Sequence, residues 1–275
     1  MSNTIPQDAY AIIIGAMKCG TSSLYKYLTQ HPEICPAFTK EPEYFSENQG
    51  HKIQLNSYND LWVYDHSVHK YVLEASTGYT KYPAEPNVAK KIYDYGISPK
   101  FIYIIRNPFD RIVSHYNYMQ RNRLWHLRID DRHLVNTSNY YLQLEQYRKY
   151  FPMRNILLLD FDELRDSPDQ LLRRTYEFLG LASNYFPEEY EVHNPTHVVS
   201  KIEQSICISQ LGAVLRYLPK PIKRVGKHLL RNVTPPAKRI LTSAERETIY
   251  SKLKGSMSCL YHIYGFDAQK WGFDI

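Results

Sequence analysis

The segment from Ala9 to Ser22 constrains this chain more than any other. Ala9-Tyr-Ala-Ile-Ile-Ile-Gly15 is a short, β-rich apolar run, the pattern of a strand buried on both faces in a parallel sheet. Gly15 to Gly20 then form a turn. Thr21 to Gln30 read as a helix, with Leu24 and Leu28 on one face and Pro32 beyond its end. Strand, glycine turn and helix start together make an anion site, because backbone N–H groups point at the ligand and the helix dipole favours negative charge. Gly20 lets the backbone approach closely, and Thr21 and Ser22 add hydroxyl donors.

The loop reads Gly15-Ala-Met-Lys-Cys-Gly-Thr-Ser22. Against the triphosphate-binding pattern G-x-x-x-x-G-K-[ST], both glycines match and the lysine does not. Thr21 takes its place, and Lys18 lies three positions earlier. A γ-phosphate would lose its lysine partner, while an anion reached from the other side of the loop would gain one. An ATPase or GTPase is disfavoured. The bland alternative is an ordinary strand-to-helix turn with a surface lysine, and the loop alone does not decide between the two.

The rest of the chain repeats the alternation. Lys70 to Glu74, Lys100 to Arg106 and Asn155 to Asp160 are candidate strands. Helices are expected from about Asp110, over Ser138 to Tyr150, and from Ser167, where Ser caps, Pro168 takes the first position and Gln170 comes three residues after the cap. Gly180 ends that last helix. Thr242 and Glu245 make a similar box before a closing helix, about residues 243–265. Strands alternating with helices predict one α/β domain over residues 1–275, a P-loop-like fold with a central, mostly parallel sheet covered by helices on both faces. The cofactor-binding core is expected over about residues 9–201.

Composition excludes several classes. The chain of 275 residues is 43% hydrophobic and 23% charged, which is globular. Four cysteines with no CxxC pair argue against a disulfide scaffold or a structural zinc site, and fit a reducing compartment. No apolar run is long enough to cross a bilayer, and the first eight residues carry no Lys or Arg, so a cytoplasmic protein is expected. The net charge is +6, but residues 204–244 hold eight Lys and Arg and no acid, leaving −2 for the remainder. That stretch has three readings: a solvated helical region with Leu211, Val214, Leu215 and Leu218 as its core stripe, a contact for an acidic glycan, or a peripheral contact with an anionic membrane.

Two further motifs join the loop: Lys40-Glu-Pro-Glu-Tyr-Phe45 and Arg106-Asn-Pro-Phe-Asp-Arg-Ile-Val-Ser114, with a looser piece at Asn194 to Lys201 and Trp271 beyond the closing helix. With these, the sequence resembles the sulfotransferases that use 3′-phosphoadenosine 5′-phosphosulfate (PAPS), particularly the branch of the heparan sulfate sulfotransferases and their bacterial relatives. The resemblance runs from about residue 10 to 200. It implies that Lys18, Cys19, Gly20, Thr21 and Ser22 hold the 5′-phosphosulfate, with Lys18 on the bridging oxygen. It implies Arg106 and Ser114 on the 3′-phosphate, Ser200 and Lys201 as further phosphate contacts, and Glu41 as the base, with Glu43 its competitor.

The physics is compatible with these roles. Negative charge grows on the bridging oxygen as sulfur leaves, and a positioned ammonium stabilises that state most. Arg and a hydroxyl eight residues apart can clamp one phosphate. A carboxylate beside the donor can take the acceptor's proton. Pro42 is expected to hold Glu41 extended, and Arg111 is expected to be a solvated helix residue. His115, His126, His193 and His197 are candidate acceptor contacts, although lone histidines are more often structural.

The related enzymes carry a lysine where Ala75 stands in Glu74-Ala-Ser-Thr-Gly-Tyr79, so a second catalytic cation is absent or comes from elsewhere. The expected activity is transfer of a sulfuryl group from PAPS, without a metal, to a glycan, lipid or small metabolite, leaving adenosine 3′,5′-bisphosphate. The rivals are a P-loop nucleotide kinase, with Asp160 as its Mg²⁺-holding acid, and a basic nucleic-acid-binding protein. Lacking an interleaved aromatic platform, the basic stretch disfavours nucleic acid as a partner.

Overall fold

A computed structural model describes residues 4–49, 52–121, 128–187, 190 and 239–275. Five strands form one sheet: β1 (Tyr10–Gly15), β2 (Ile34–Pro36), β3 (Tyr71–Ala75), β4 (Lys100–Ile105) and β5 (Ile156–Asp160). Their order is β2-β3-β1-β4-β5, and every neighbouring pair is parallel. The expected mostly parallel sheet is thus parallel throughout its described strands. All six residues of β1 are buried, as are Phe101 to Ile105 of β4. Successive side chains point to opposite faces, so both faces of the sheet centre are covered.

The eight described helices are α1 (Thr21–Leu28), α2 (Val88–Asp94), α3 (Pro108–Arg121), α4 (Arg132–Thr137), α5 (Tyr140–Arg148), α6 (Phe161–Asp166), α7 (Pro168–Leu179) and α8 (Ser243–Tyr264). No described helix is long and apolar enough to cross a membrane.

The local signals explain most boundaries. Pro168 opens α7 and Gly180 closes it in the left-handed conformation at φ 64°. Ser167 makes no side-chain cap, contrary to the sequence expectation; the proline alone marks that start. At α8 the box is complete: Thr242 Oγ1 accepts from Glu245 N at 3.2 Å, and Glu245 Oε2 accepts from Thr242 N at 2.9 Å. Helix α3 begins two residues before the expected Asp110, at Pro108, whose fixed φ suits a first helical position. Helix α5 is capped by Asn139, which accepts from Leu142 N at 3.0 Å.

Strand order reverses at β1, which lies between β3 and β4. In open α/β sheets ligands gather at the carboxyl ends of the strands beside such a switch. Here that edge brings together Gly15, Ala75, Ile105 and Asp160, the last residues of four neighbouring strands.

Candidate active site

At the end of β1 the two loop glycines are required by close approach. A Cβ on Gly15 would stand 2.0 Å from Thr80 Oγ1, a hydroxyl that donates to Ile14 O at 2.9 Å. Gly20 enters α1 at φ 83°, and a Cβ there would press on Leu164 and Phe161 at 2.9 and 3.0 Å. Between them Lys18 is left-handed at φ 72°, a conformation of order 1–3 kcal/mol above the ordinary one for a side chain of this kind. Its Nζ lies 5.0 Å from the centre of the Tyr118 ring on α3. Cys19 is wholly buried, and its N–H closes the turn onto Ala16 O at 3.1 Å. Burial pushes its thiol up to about 12, which removes it as a nucleophile. Next in the chain are the N–H groups that open α1, the donors a helix start leaves without an intrahelical acceptor.

Arg106 sits one residue past β4, 4.7 Å from the centre of the Phe161 ring, the same ring on which Gly20 packs. The guanidinium and the loop therefore share one aromatic ring as a neighbour. Its carbonyl accepts from Tyr140 Oη at 2.5 Å, and its Nη2 is 3.8 Å from the exposed Asp110 carboxylate. Ser114 is buried on α3, about two turns further on. Asp160, the acid a kinase would need, is already engaged. One oxygen accepts from Asp162 N at 3.0 Å and the other pairs with Lys270.

Opposite the loop, Lys40 to Ser46 is pinned to the end of β3. Glu41 N donates to Ala75 O at 2.9 Å, and its carboxylate lies 2.6 Å from Lys40 Nζ, about one-third exposed. Glu43 is wholly buried. Its N–H donates to Ser76 Oγ at 3.0 Å, and its carboxylate accepts from Gly78 N at 2.8 Å and Ser46 Oγ at 2.5 Å. A Cβ on Gly78 would stand 2.2 Å from Glu43 Oε2.

These anchors overturn the expectation of an extended segment. Glu41 and Glu43 are both left-handed, at φ 57° and 52°, because tertiary hydrogen bonds at both residues outweigh the local preference before proline. They also separate the two carboxylates. Glu43 is a strut, with burial raising its carboxyl above the usual range; Glu41 opens towards solvent.

Behind the strut lies a second buried acid. Glu74 accepts from Tyr58 Oη at 2.7 Å and Ser76 Oγ at 2.8 Å, and burial pushes it up to about 7. Lys81, nearly buried, donates to Gln49 Oε1 at 3.0 Å. Burial lowers its pKa, opposed by Glu43, Glu41 and Glu85. It is the one buried lysine among the described residues.

Sequence reasoning placed Arg111 in solvent, and that is wrong: it is fully buried. The legible signal was helical spacing, since Pro108, Arg111, Ile112 and His115 recur at the three- and four-residue steps of one buried face. His115 is buried beside it and held well below its ordinary pKa by burial first and then by Arg111. Ser200, Lys201, His126, His193, His197 and nearly all of residues 204–244 lie outside the described residues. At the end of that stretch, Arg239 pairs with Glu245 at 2.6 Å.

Comparison with known proteins agrees with this architecture. The sulfotransferase domain family matches residues 8–203. Among curated proteins, the chain is 27% identical over 198 residues to the heparan sulfate glucosamine 3-O-sulfotransferase 5 of Mus musculus, covering 66% of this chain and 56% of that one. It is 25% identical over 199 residues to the bifunctional heparan sulfate N-deacetylase/N-sulfotransferase 3 of the same organism, covering 63% of this chain and 22% of that one. It thus spans little more than half of the first relative and under a quarter of the second. Among solved structures, a sulfotransferase from Alicyclobacillus acidocaldarius superposes with a TM-score of 0.68 over 98% of this chain and all of that one, at 21% identity, which shows a shared fold.

Proposed function

We propose that this chain, which belongs to the sulfotransferase domain family, transfers a sulfuryl group from PAPS to a hydroxyl or amine of an acceptor. One juxtaposition carries the reading. A lysine-bearing glycine loop ends β1, an arginine follows neighbouring β4, and a solvent-facing carboxylate is pinned to the end of neighbouring β3.

The donor supplies an activated sulfuryl group on a phosphate. The amides opening α1, with Thr21 and Ser22, hold its 5′ end. Arg106 and Ser114 take the 3′-phosphate, and Ser200 and Lys201 belong to the same proposal. Lys18 directs its ammonium at the bridging oxygen, where the electron pair of the breaking S–O bond collects. Glu41 takes the acceptor's proton as the new bond to sulfur forms. Lys40, 2.6 Å away, holds that carboxylate until the acceptor arrives. Acceptors that fit are glycans, lipids and small metabolites bearing a free hydroxyl or amine. The cytoplasmic setting expected from the sequence stands with this proposal, and cell fractionation tests it.

A kinase reading is weakened by Asp160, whose oxygens already serve a helix cap and Lys270. Calorimetry separates the two. The expected order of affinity is adenosine 3′,5′-bisphosphate far above AMP, with ATP–Mg²⁺ weakest; the reverse order overturns the donor assignment. Labelled PAPS incubated with a cell extract, and mass spectrometry of the labelled product, then identifies the acceptor. Absence of protein-dependent labelling counts against transfer.

A further inference from the structure

Arg111 lies in the first turn of α3 with no exposed surface. Its Nε donates to Ser138 Oγ at 2.6 Å and its Nη2 to Leu134 O at 2.8 Å. Its Nη1 reaches Met17 O at 3.3 Å and His115 Nδ1 at 3.2 Å. A hydroxyl, two carbonyls and an imidazole carry no negative charge. The guanidinium has only protons to give, so His115 accepts at Nδ1 and, being neutral, keeps its proton on Nε2. No carboxylate among the described residues lies within ion-pair distance of Arg111. A buried cation without a counter-ion is strongly unfavourable, and a fold that keeps one is expected to bring an anion to it.

The position shows where. Met17 immediately precedes Lys18 in the glycine loop, so Arg111 is bonded to that loop one residue before its left-handed lysine. We infer that Arg111 is a positioning residue, holding the Gly15–Ser22 loop in its anion-binding shape through the Met17 carbonyl, and that the phosphosulfate end of the donor is the counter-ion its charge awaits. This rests on the donor reading above. It goes beyond it in assigning part of the binding energy to a group the donor never touches. The His115 imidazole completes the cradle, which explains its burial better than a contact with acceptor does.

The inference predicts a split between ligands. Adenosine 3′,5′-bisphosphate places a phosphate over the loop, whereas adenosine 3′-monophosphate does not. Arg111→Met keeps the volume and removes the charge. It should weaken the bisphosphate roughly 10–100-fold, the effect of one unit charge a few ångströms away at an intermediate dielectric. The monophosphate should change by less than about 3-fold, since its contacts are with Arg106 and Ser114. Arg111→Lys keeps the charge and should retain most of the bisphosphate affinity, within roughly 5-fold.

An unchanged advantage of the bisphosphate in Arg111→Met overturns the inference, and so does an equal loss for both ligands, which marks a residue that only supports the fold. Should Arg111→Met not fold, Arg111→Lys decides in the same way: preserved affinity for both ligands supports the inference, and a loss shared equally overturns it. A wild-type protein that binds neither nucleotide strikes the donor reading itself, and is seen before any variant is made.

Discussion

The glycine loop after β1 and the Lys40–Ser46 segment pinned to β3 stand at the ends of adjacent strands, yet they are built from opposite chemistry. The loop side gathers cations, with Lys18 in it, Arg106 on the ring that Gly20 also meets and Arg111 on the Met17 carbonyl, and it ends in the main-chain amides of a helix start. The β3 side is floored by acids: Glu43 and Glu74 are wholly buried, and Glu41 stands in front of them. A transferring anion needs fixed positive field where charge collects, and a proton acceptor needs a carboxylate nearby. Cations stand on the acid side too: Lys40 pairs with Glu41, Lys81 lies close to Glu43 and Glu41, and Lys52 donates to Ser46 O at 2.9 Å.

The sharpest break of this comparison is on the acid side. Glu41→Gln keeps the shape and removes the proton acceptor, so turnover should fall roughly 10²–10⁴-fold while affinity for adenosine 3′,5′-bisphosphate holds. Glu43→Gln should behave differently. An amide placed against the Gly78 N–H or the Ser46 hydroxyl loses an acceptor, so stability should drop by about 1–3 kcal/mol, with a smaller loss of turnover. Denaturant titration and steady-state assays on both variants decide. If Glu43→Gln is folded and inactive while Glu41→Gln turns over, the base is on the wrong residue.

On the cationic side, Lys18→Ala should slow turnover roughly 10²–10³-fold, comparable with losing one donor to a developing oxyanion. The desulfated product should bind almost as before. A collapse of product affinity with unchanged turnover at saturation would make Lys18 a binding residue only. Arg106→Ala should have a smaller effect and a different address. Loss of one charge-assisted hydrogen bond, roughly 1.5–3 kcal/mol, should cut the preference for the bisphosphate over AMP about 10–150-fold. Retention of that preference sends the 3′-phosphate elsewhere.

The same contrast explains what is legible in the sequence. The cationic side is local. β1, the turn and the start of α1 are contiguous, so the strand pattern, the two glycines and the displaced lysine lie in one short stretch. Arg111 defeats such a reading because a charged residue is ordinarily priced as surface, and its partners come from two distant places in the chain, Met17 in the glycine loop and Leu134 and Ser138 at α4. The anchors of the acid side are non-local. Nothing near Pro42 announces that Ala75, Ser76 and Gly78 hold Glu41 and Glu43 in left-handed conformations. The three-residue β2 is too short to show a period, so the sequence marks no strand there, although Cys35 within it is buried.

The smallest effect expected on catalysis tests the acid floor through stability. Glu74 is held at about 7 by burial, against 4.5 for an ordinary glutamate. The folded state therefore prefers its protonated form. Glu74's favourable contribution is complete below about pH 4.5 and is lost as pH rises towards 7, at about 1.4 kcal/mol for each pH unit in that window. Above pH 7 both states are ionised and no further loss accrues. Glu74→Gln lacks the titration but keeps the shape, and the Tyr58 and Ser76 hydroxyls can turn to meet an amide. The stability of the wild type relative to Glu74→Gln should thus fall by about 3 kcal/mol between pH 4.5 and 7.5, with the other titrating groups largely cancelling in the comparison. Glu43, raised in the same direction, is common to both proteins. Midpoints of urea unfolding at four pH values across that range supply the measurement. Parallel curves would mean that the two hydroxyls offset burial and keep Glu74 ionised, and the acid side would then be a fixed negative wall facing the cationic one. Diverging curves make it a wall whose charge grows between pH 5 and 7, with Glu41 in front of it.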